Sequence, residues 1–440
     1  MTTVFGTDGI RERVGTALLT HDQLISIGQA LALWIQARSQ KNPHILLIYD
    51  TRISNSYIKS TLKSGLLMHE VTLFDGGVLP TPAALHIMQQ VTEFDCALII
   101  SASHNPYYDN GIKIFDKMGK LSEEDEQHIT ALINEKKTFT YSTFGQEINY
   151  HAQAEKIYSD QVIRFFPKNF LQHKKIVLDA AHGATYRCAE MIFEKLGAQV
   201  IMINNQPTGT NINDECGTLA PTALQKAVQD YQADVGFAFD GDGDRVIAVS
   251  AEGIIKDGDD FLALLLEHPA YRTEKIIVGT VMSNVALEQY LYQKNKQLVR
   301  TSVGDKYITE KLQQHNLLLG GEQSGHIILH DLLATGDGIL SALRLLETLT
   351  YSHNWNLITF TKYPQILLNI PIKHKKDLAH QPYASLIYQA QKRLLGGRLL
   401  VRYSGTEPLL RIMVEAQHKE LAQAVCTDIA HHLQTLLEQS

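Results

Sequence analysis

Three times along this chain a short apolar run ends in a polar or glycine-rich loop, in segments that otherwise alternate apolar strands with amphipathic helices. Ala97-Leu98-Ile99-Ile100 runs into Ser101-Ala102-Ser103-His104-Asn105-Pro106. Val235 to Phe239 runs into Asp240-Gly241-Asp242-Gly243-Asp244-Arg245, and Leu317-Leu318-Leu319 runs into Gly320-Gly321-Glu322-Gln323-Ser324-Gly325-His326. Strand, loop, helix in recurring order predicts α/β units with their functional loops at the carboxyl ends of strands.

At 440 residues the chain is too long for one core and is expected to split. Four segments are legible. Residues 1–150 hold a helix from Gln23 to Ala37, a strand from Ile45 to Tyr49 and the serine loop. Residues 151–253 hold a strand from Lys175 to Leu178, the loop Asp179-Ala180-Ala181-His182-Gly183-Ala184, and the strand leading to the aspartate loop. Residues 254–363 hold a strand from Ile276 to Gly279 and the loop ending in His326. Residues 364–440 read as α+β, with strands at Leu367 to Ile370, Arg398 to Arg402 and Leu410 to Glu415 and a closing helix from Glu420 to Leu437. No low-complexity tract or long linker separates them, so the domains are expected to pack together with function in a cleft.

The bulk numbers narrow the function. A net charge of −7 argues against a nucleic-acid protein and requires a local cationic cluster for any anionic ligand. No apolar run reaches the length of a membrane span, and the start lacks the basic and apolar regions of a signal peptide. Cys96, Cys188, Cys216 and Cys426 are scattered, which fits a reduced, cytoplasmic setting; Cys216, in a glycine-rich polar loop, is the one expected to be exposed.

Asp240, Asp242 and Asp244 alternate with glycines, so their carboxylates can converge on one hard cation. An EF-hand is excluded, because its glycine and glutamate positions hold Arg245 and Ala251. Three carboxylates leave coordination places open for a phosphate oxygen, which suits Mg²⁺; an acidic surface turn is the plainer alternative. Ser103, beside His104 and followed by Lys113, is a candidate nucleophile, with Ser101 a second candidate and an ordinary Ser/Asn-Pro turn the competing reading. Glu322, Ser324 and His326 offer the mixed donors and acceptors that sugar hydroxyls need, and His326 can move a proton near neutral pH. Arg402-Tyr403-Ser404-Gly405-Thr406, followed by Arg411, reads equally as an anion nest or a hairpin with incidental arginines.

Taken together and in this order, these motifs resemble the α-D-phosphohexomutase superfamily, essentially end to end. The resemblance includes Phe5 to Arg11, Asp50-Thr51-Arg52, Pro80-Thr81-Pro82, Ser101 to Lys113, Asp240 to Arg245, Val278 to Asn284, Gly321 to His326, Thr335-Gly336-Asp337-Gly338 and Arg402 to Arg411. Gln323 and the run Tyr107 to Lys113 favour its glucosamine branch. The resemblance implies three similar α/β domains with mixed sheets plus a C-terminal α+β domain around a central cleft. It implies that Ser103 carries a covalent phosphate and that Asp240, Asp242 and Asp244 bind one Mg²⁺ per chain, with a phosphoserine oxygen completing the site. Glu322 and Ser324 would meet the sugar. Arg402, Ser404, Gly405, Thr406 and Arg411 would hold the non-reacting phosphate. Arg11, His104, Lys113, Arg245 and His326 would surround the reacting centre, Lys113 and His326 being the acid/base candidates. The implied reaction interconverts glucosamine 6-phosphate and glucosamine 1-phosphate through a 1,6-bisphosphate, for UDP-N-acetylglucosamine and cell-wall synthesis. A hexose 1,6-bisphosphate would act as activator. A homodimer is common in this group, though no segment here demands an interface.

Three positions depart from the pattern. Glu12 replaces a glycine, which limits positive-φ geometry next to Arg11; His182 replaces an asparagine; Lys306 replaces an arginine, keeping charge without bidentate geometry. The competing functions are a mutase for glucose or mannose phosphates, a phosphatase and a non-catalytic sugar-phosphate sensor. A second anion site argues against the phosphatase, which has no need of one.

Overall fold

The protein is described by a computed structural model covering residues 4–6, 9–39, 41–135, 143–404 and 408–438. Its first sheet is built from β1 (Ile10–Arg13), β2 (His44–Tyr49), β3 (Thr72–Val78), β4 (Cys96–Ile100), β5 (Asp109–Asp116), β6 (Gly119–Lys120) and β7 (Gln146–Asn149), in the order β1-β5-β4-β2-β3-β7, with β6 beside β5. Helices α1 (His21–Gln36), α2 (Asn55–Leu66), α3 (Ala83–Gln90), α4 (Glu123–Asn134) and α5 (His151–Arg164) accompany it. β2 runs parallel to both β3 and β4, whereas β5 is antiparallel to β4 and β1, so the sheet is mixed. Every residue of β4 is buried, as a central strand covered on both faces requires. On α1, Leu24, Ile27, Leu31, Trp34 and Ile35 form one apolar stripe at helical spacing and join the core of this sheet.

The second sheet comprises β8 (Lys175–Asp179), β9 (Gln199–Ile203), β10 (Val235–Phe239), β11 (Val246–Ser250) and β12 (Ile255–Lys256), ordered β12-β11-β10-β8-β9, with α6 (Cys188–Lys195) and α7 (Thr222–Asp230). The third contains β13 (Ile276–Thr280), β14 (Gln297–Thr301), β15 (Leu319–Gly321) and β16 (Ile327–Leu329), ordered β14-β13-β15-β16; α8 (Gly258–Leu265), α9 (Val285–Gln293), α10 (Asp305–His315) and α11 (Gly338–Ser352) lie in the same stretch of chain. Asp257 caps α8 in a reciprocal box with Asp260, and Asp337 caps α11. The C-terminal sheet is antiparallel throughout: β17 (Gln365–Pro371), β18 (Arg398–Tyr403) and β19 (Leu409–Glu415), ordered β17-β19-β18, with α12 (Tyr383–Lys392) and α13 (Lys419–Glu438).

By contacts the chain forms two compact units: Met1–Val281 with Val299–Ile358, and Met282–Leu298 with Thr359–Ser440. In the second unit α9 is joined to the C-terminal sheet: the Val285 N–H donates to Glu415 Oε2 at 3.2 Å, and Arg398 donates to the Ser283 carbonyl at 3.0 Å. No helix among the described residues is long and apolar enough to cross a membrane.

Cys216 overturns the expectation of exposure. All four cysteines are buried. The loop around Cys216 folds back onto the second sheet, where the Gly217 N–H donates to Asp179 Oδ2 at 3.1 Å. Burial, with Asp179 and Asp214 nearby, pushes the thiol up to about 12.

The crossing of α1 and α2 depends on two glycines. A Cβ on Gly28 of α1 would lie 2.3 Å from the Leu62 carbonyl oxygen, and one on Gly65 of α2 would lie 2.1 Å from that of Ile25. Gly65→Ala is therefore expected to push α1 and α2 apart at a cost of about 1–3 kcal/mol. The check is the thermal midpoint together with hydrogen exchange of the α1 and α2 amides; a parental midpoint would show that the crossing tolerates a methyl group.

Candidate active site

β4, β10 and β15 each deliver one loop from their carboxyl ends, and hydrogen bonds tie these loops to one another and to neighbouring segments. The Thr81 N–H donates to the Asp242 carbonyl at 2.8 Å, the Val246 N–H to Gly325 at 3.0 Å, and Asn213 Nδ2 to Ser103 at 2.9 Å. Ser103 is buried and sits in the left-handed region at φ 52°. Its Oγ donates to Asp240 Oδ2 at 2.7 Å. His104 Nδ1 is 3.3 Å from that Oγ and accepts from Arg245 at 3.0 Å. Burial, then the positive charges of Arg245 and Arg11, hold the His104 imidazole down to about 4, so it is a neutral acceptor already engaged by Arg245. Ser101, the alternative hydroxyl, is turned elsewhere: its Oγ donates to Asp50 Oδ2 at 2.7 Å.

Asp240, Asp242 and Asp244 are all buried, and one oxygen from each lies within 4.8 Å of the others. Lys113 on β5 donates to Asp242 Oδ2 at 2.9 Å and lies 3.5 Å from Asp244 Oδ2. Thr81 Oγ1 donates to Asp242 Oδ2 at 2.7 Å, and the Arg245 N–H to Asp240 Oδ1 at 3.1 Å. Two oxygens, Asp242 Oδ1 and Asp244 Oδ1, are buried without a hydrogen-bond partner. Orphaned hard oxygens at the centre of a carboxylate cluster fit a divalent cation of the Mg²⁺ type. The two ends of the loop differ electrostatically. Burial and the neighbouring charges of Asp244 and Asp242 push Asp240 well up. At Asp244 burial acts the same way but is outweighed by Lys113, His326 and Arg245, which hold it far below the usual range.

Arg11, His104, Arg245, Asp305, Glu322 and His326 line a cavity of about 200 Å³. Glu322 Oε1 accepts from the Gly304 N–H at 3.0 Å, and Ser324 Oγ donates to Glu322 Oε2 at 3.1 Å. His326 is subject to two opposed influences. Burial would lower it, but Asp244, with Asp305 and Glu322, raises it to about 9. Its Nε2 accepts from the Gly336 N–H at 3.1 Å and lies 3.6 Å from Asp305 Oδ2, while Nδ1 faces Asp244 Oδ1 at 3.6 Å. Gly336 packs flat on the ring: a Cβ there would lie 2.5 Å from Nε2.

In the second unit Arg402 and Arg411 are direct cross-strand partners on β18 and β19. The hairpin reading of this segment is thus correct for its backbone, but the arginines face each other. Like charges opposite one another are unfavourable unless an anion joins them. Burial and then Arg411 lower Arg402 from its ordinary value. Ser404 is buried, and its carbonyl accepts from Lys375 at 3.2 Å, which brings a third cation to the turn. Gly405 and Thr406 lie outside the described residues.

Several residues here were not singled out from the sequence. Asn213 and Asp305 sit in short polar stretches whose types name no chemistry, and Thr81 entered only as part of the Pro80-Thr81-Pro82 resemblance; only folding brings them to the loops. Lys375 lies in the basic run Lys373-His374-Lys375-Lys376, a legible signal that was not used. Of the departures, Glu12 lies in extended β1 opposite Asn110, so no positive φ is needed and the expected strain is absent. His182 occupies φ 49°, where asparagine is the easier residue. Lys306 turns to Glu123, 3.3 Å away, on α4.

Sheets of this kind, with a hydroxyl set against a carboxylate cluster, define the phosphohexomutase class of α/β enzymes. The sequence matches the phosphoglucomutase/phosphomannomutase domains throughout: alpha/beta/alpha domain I over residues 2–139, domain II over 156–253, domain III over 257–360 and the C-terminal domain over 367–432. The chain belongs to the phosphoglucomutase/phosphomannomutase family. It is 40% identical over 437 residues to the phosphoglucosamine mutase of Mesorhizobium japonicum, covering 97% of this chain and 96% of that protein. To the phosphoglucosamine mutase of Proteus mirabilis it is 41% identical over 436 residues, covering 97% of each. Among solved structures it resembles a phosphoglucomutase/phosphomannomutase family protein from Burkholderia thailandensis (TM-score 0.79, 22% identity, 98% of this chain and 97% of that one). It also resembles Aspergillus fumigatus N-acetylphosphoglucosamine mutase in complex with GlcNAc-6P and magnesium (TM-score 0.68, 17% identity, 98% and 96%).

The carboxylate cluster generates a prediction of mixed sign. Asp242→Asn removes one of three mutually repelling charges, so the metal-free protein is expected to melt at or above the parental temperature. Saturating Mg²⁺, at roughly a hundred times its dissociation constant, should stabilise the parent by about 2.7 kcal/mol and the variant much less. Thermal melts with and without Mg²⁺ check both; equal Mg²⁺ shifts in the two proteins would remove Asp242 from the cation site.

Proposed function

We propose that this chain interconverts glucosamine 6-phosphate and glucosamine 1-phosphate by carrying a phosphoryl group on Ser103. The observation that carries the reading is the bond from Ser103 Oγ to Asp240 within a buried carboxylate cluster whose oxygens are incompletely satisfied. The choice of glucosamine is supported by end-to-end identity of about 40% to enzymes named phosphoglucosamine mutase.

Asp240, Asp242 and Asp244 would hold one Mg²⁺, completed by an oxygen of the phosphoserine; the ion supplies charge neutralisation at the transferring group. In the first half-reaction the Ser103 Oγ–P bond breaks and a bond from phosphorus to a sugar hydroxyl oxygen forms, giving a 1,6-bisphosphate. The hydroxyl loses a proton and Ser103 Oγ gains one, so one relay group balances the step. We assign Lys113 to that relay. Its ammonium is hydrogen-bonded beside the serine's carboxylate partner, whereas the Nε2 lone pair of His326 is occupied by Gly336. Arg11, His104, Arg245 and His326 surround the reacting centre, and the two arginines supply positive charge there. Glu322 and Ser324 offer an acceptor and a hydroxyl to the sugar. Arg402, Ser404, Gly405, Thr406 and Arg411 are assigned the phosphate that is not reacting. The bisphosphate then reverses and returns its other phosphoryl group to Ser103. A hexose 1,6-bisphosphate from solution would load Ser103 initially.

The test is a mutase assay with Mg²⁺ and a trace of hexose 1,6-bisphosphate, comparing glucosamine, N-acetylglucosamine, glucose and mannose phosphates. A clear preference for glucosamine phosphate is expected. Preference for glucose or mannose phosphate would keep the mechanism and replace the substrate; free phosphate without isomer would mean hydrolysis. Ser103→Ala should abolish turnover while leaving sugar-phosphate binding largely intact. Lys113→Met should lower kcat by about 10²–10⁴-fold and His326→Gln by far less; the reverse order would transfer the proton relay to His326.

A further inference from the structure

The backbone at Ser103 has an arrangement that the phosphoryl chemistry does not account for. A residue with a Cβ rarely adopts φ near +52°, so something outside the residue must hold it there. We propose that the buried Asp50–Arg52 ion pair is the positioning device that sets the Ser103 turn, and with it the direction of Ser103 Oγ; this rests on the reading of Ser103 as phosphoryl carrier.

The pair is placed by the sheet. β2 and β4 are parallel neighbours with Tyr49 opposite Ile100, so the next residues, Asp50 and Ser101, emerge side by side. The Asp50–Arg52 side chains are wholly buried, with Arg52 Nε 2.8 Å from Asp50 Oδ2. The remaining guanidinium donors reach the serine loop itself. Nη2 donates to the carbonyls of Ser103 at 2.7 Å and Asn105 at 2.9 Å, and Nη1 to those of Asp109 at 3.0 Å and Pro106 at 2.5 Å. Five N–H donors meet five acceptors, which uses the whole capacity of an arginine.

Asp50 holds the other side of the turn. Its Oδ2 accepts from Ser101 Oγ at 2.7 Å, and Ser101 Oγ in turn accepts from the Ser103 N–H at 2.9 Å. Both backbone polar groups of Ser103 are therefore anchored to one ion pair: the carbonyl directly by Arg52, the amide through Ser101. Neither Asp50 nor Arg52 hydrogen-bonds to Ser103 Oγ, whose partners are Asp240 and His104, so they act through the backbone. A lysine at 52 has three donors on one point and cannot span four carbonyls and a carboxylate.

The experiment follows the loading of Ser103 by hexose 1,6-bisphosphate with intact-protein mass spectrometry, alongside kcat and KM in the mutase assay, for the parent, Arg52→Lys and Ser101→Ala. Displacement of a reacting group by about 1 Å costs on the order of 10²-fold, and that loss in loading rate and kcat is expected for Arg52→Lys, with about 10-fold for Ser101→Ala. KM should stay within about twofold, and loading should still reach the parental amplitude. Slow loading to full amplitude separates a misdirected hydroxyl from a partly unfolded sample, which loads incompletely at the normal rate. Parental rates in both variants, or a reduced amplitude at the parental rate, would overturn the proposal. Should Arg52→Lys fail to fold, Ser101→Ala decides, since it removes one hydroxyl and keeps the ion pair. A parent that neither isomerises sugar phosphate nor takes phosphate on Ser103 would overturn the underlying reading as well.

Discussion

Three buried carboxylates with an oxygen of each within 4.8 Å of the others are costly to hold, and the loops of the first unit converge on them. Burial and mutual repulsion oppose ionisation at Asp240, while Lys113, His326 and Arg245 favour it at Asp244. The hydroxyls of Ser103 and Thr81 and the amide of Arg245 satisfy part of the remaining oxygens. What is left unsatisfied is a concentrated negative charge with orphaned oxygens. Such a site could hold a cation, which would lie beside the serine hydroxyl.

The C-terminal unit shows the opposite imbalance. Arg402 and Arg411 are register partners on adjacent strands, and Lys375 reaches the carbonyl of the turn between them. Nothing in strand pairing favours two guanidiniums opposite each other, and the antiparallel hairpin would close as well with neutral residues. The chain thus gathers carboxylates at one place in the first unit and guanidiniums at one place in the second. With a net charge of −7, any attraction for an anionic ligand has to come from local cations of this kind.

The sheets contribute rigidity where the loops need direction. β4 and β10 are buried along their whole lengths, and each ends where a functional loop begins. Loops on such strands inherit fixed starting points, and cross-loop bonds such as Val246 to Gly325 and Thr81 to Asp242 fix the rest. The glycines then permit the approach of backbone to ring or backbone to backbone, as at Gly336 against His326.

The sequence by itself determined the alternation of strands and helices, the place of each loop and the identity of the residues whose types announce their chemistry. Apolar runs such as Val235–Phe239 call for cover on both faces, and Asp-Gly-Asp-Gly-Asp points to converging carboxylates, with an acidic surface turn as the alternative that burial of all three then removes. Its reach ended where meaning depends on neighbours far along the chain. Ser101 and Ser103 are two residues apart and chemically identical; only the pairing of β2 with β4, which sets Asp50 beside Ser101, separates the brace from the nucleophile candidate. Lys113 and His326 are equal candidates in the sequence, and only the structure supplies their partners, Asp242 and the Gly336 amide. Cys216 sits in a polar loop that composition marks as exposed, yet that loop closes on the end of β8 and buries it. Strand periodicity and residue type are local properties and survive in one dimension; the hydrogen-bond partners named here lie from 10 to 129 positions apart, and only the tertiary structure supplies those.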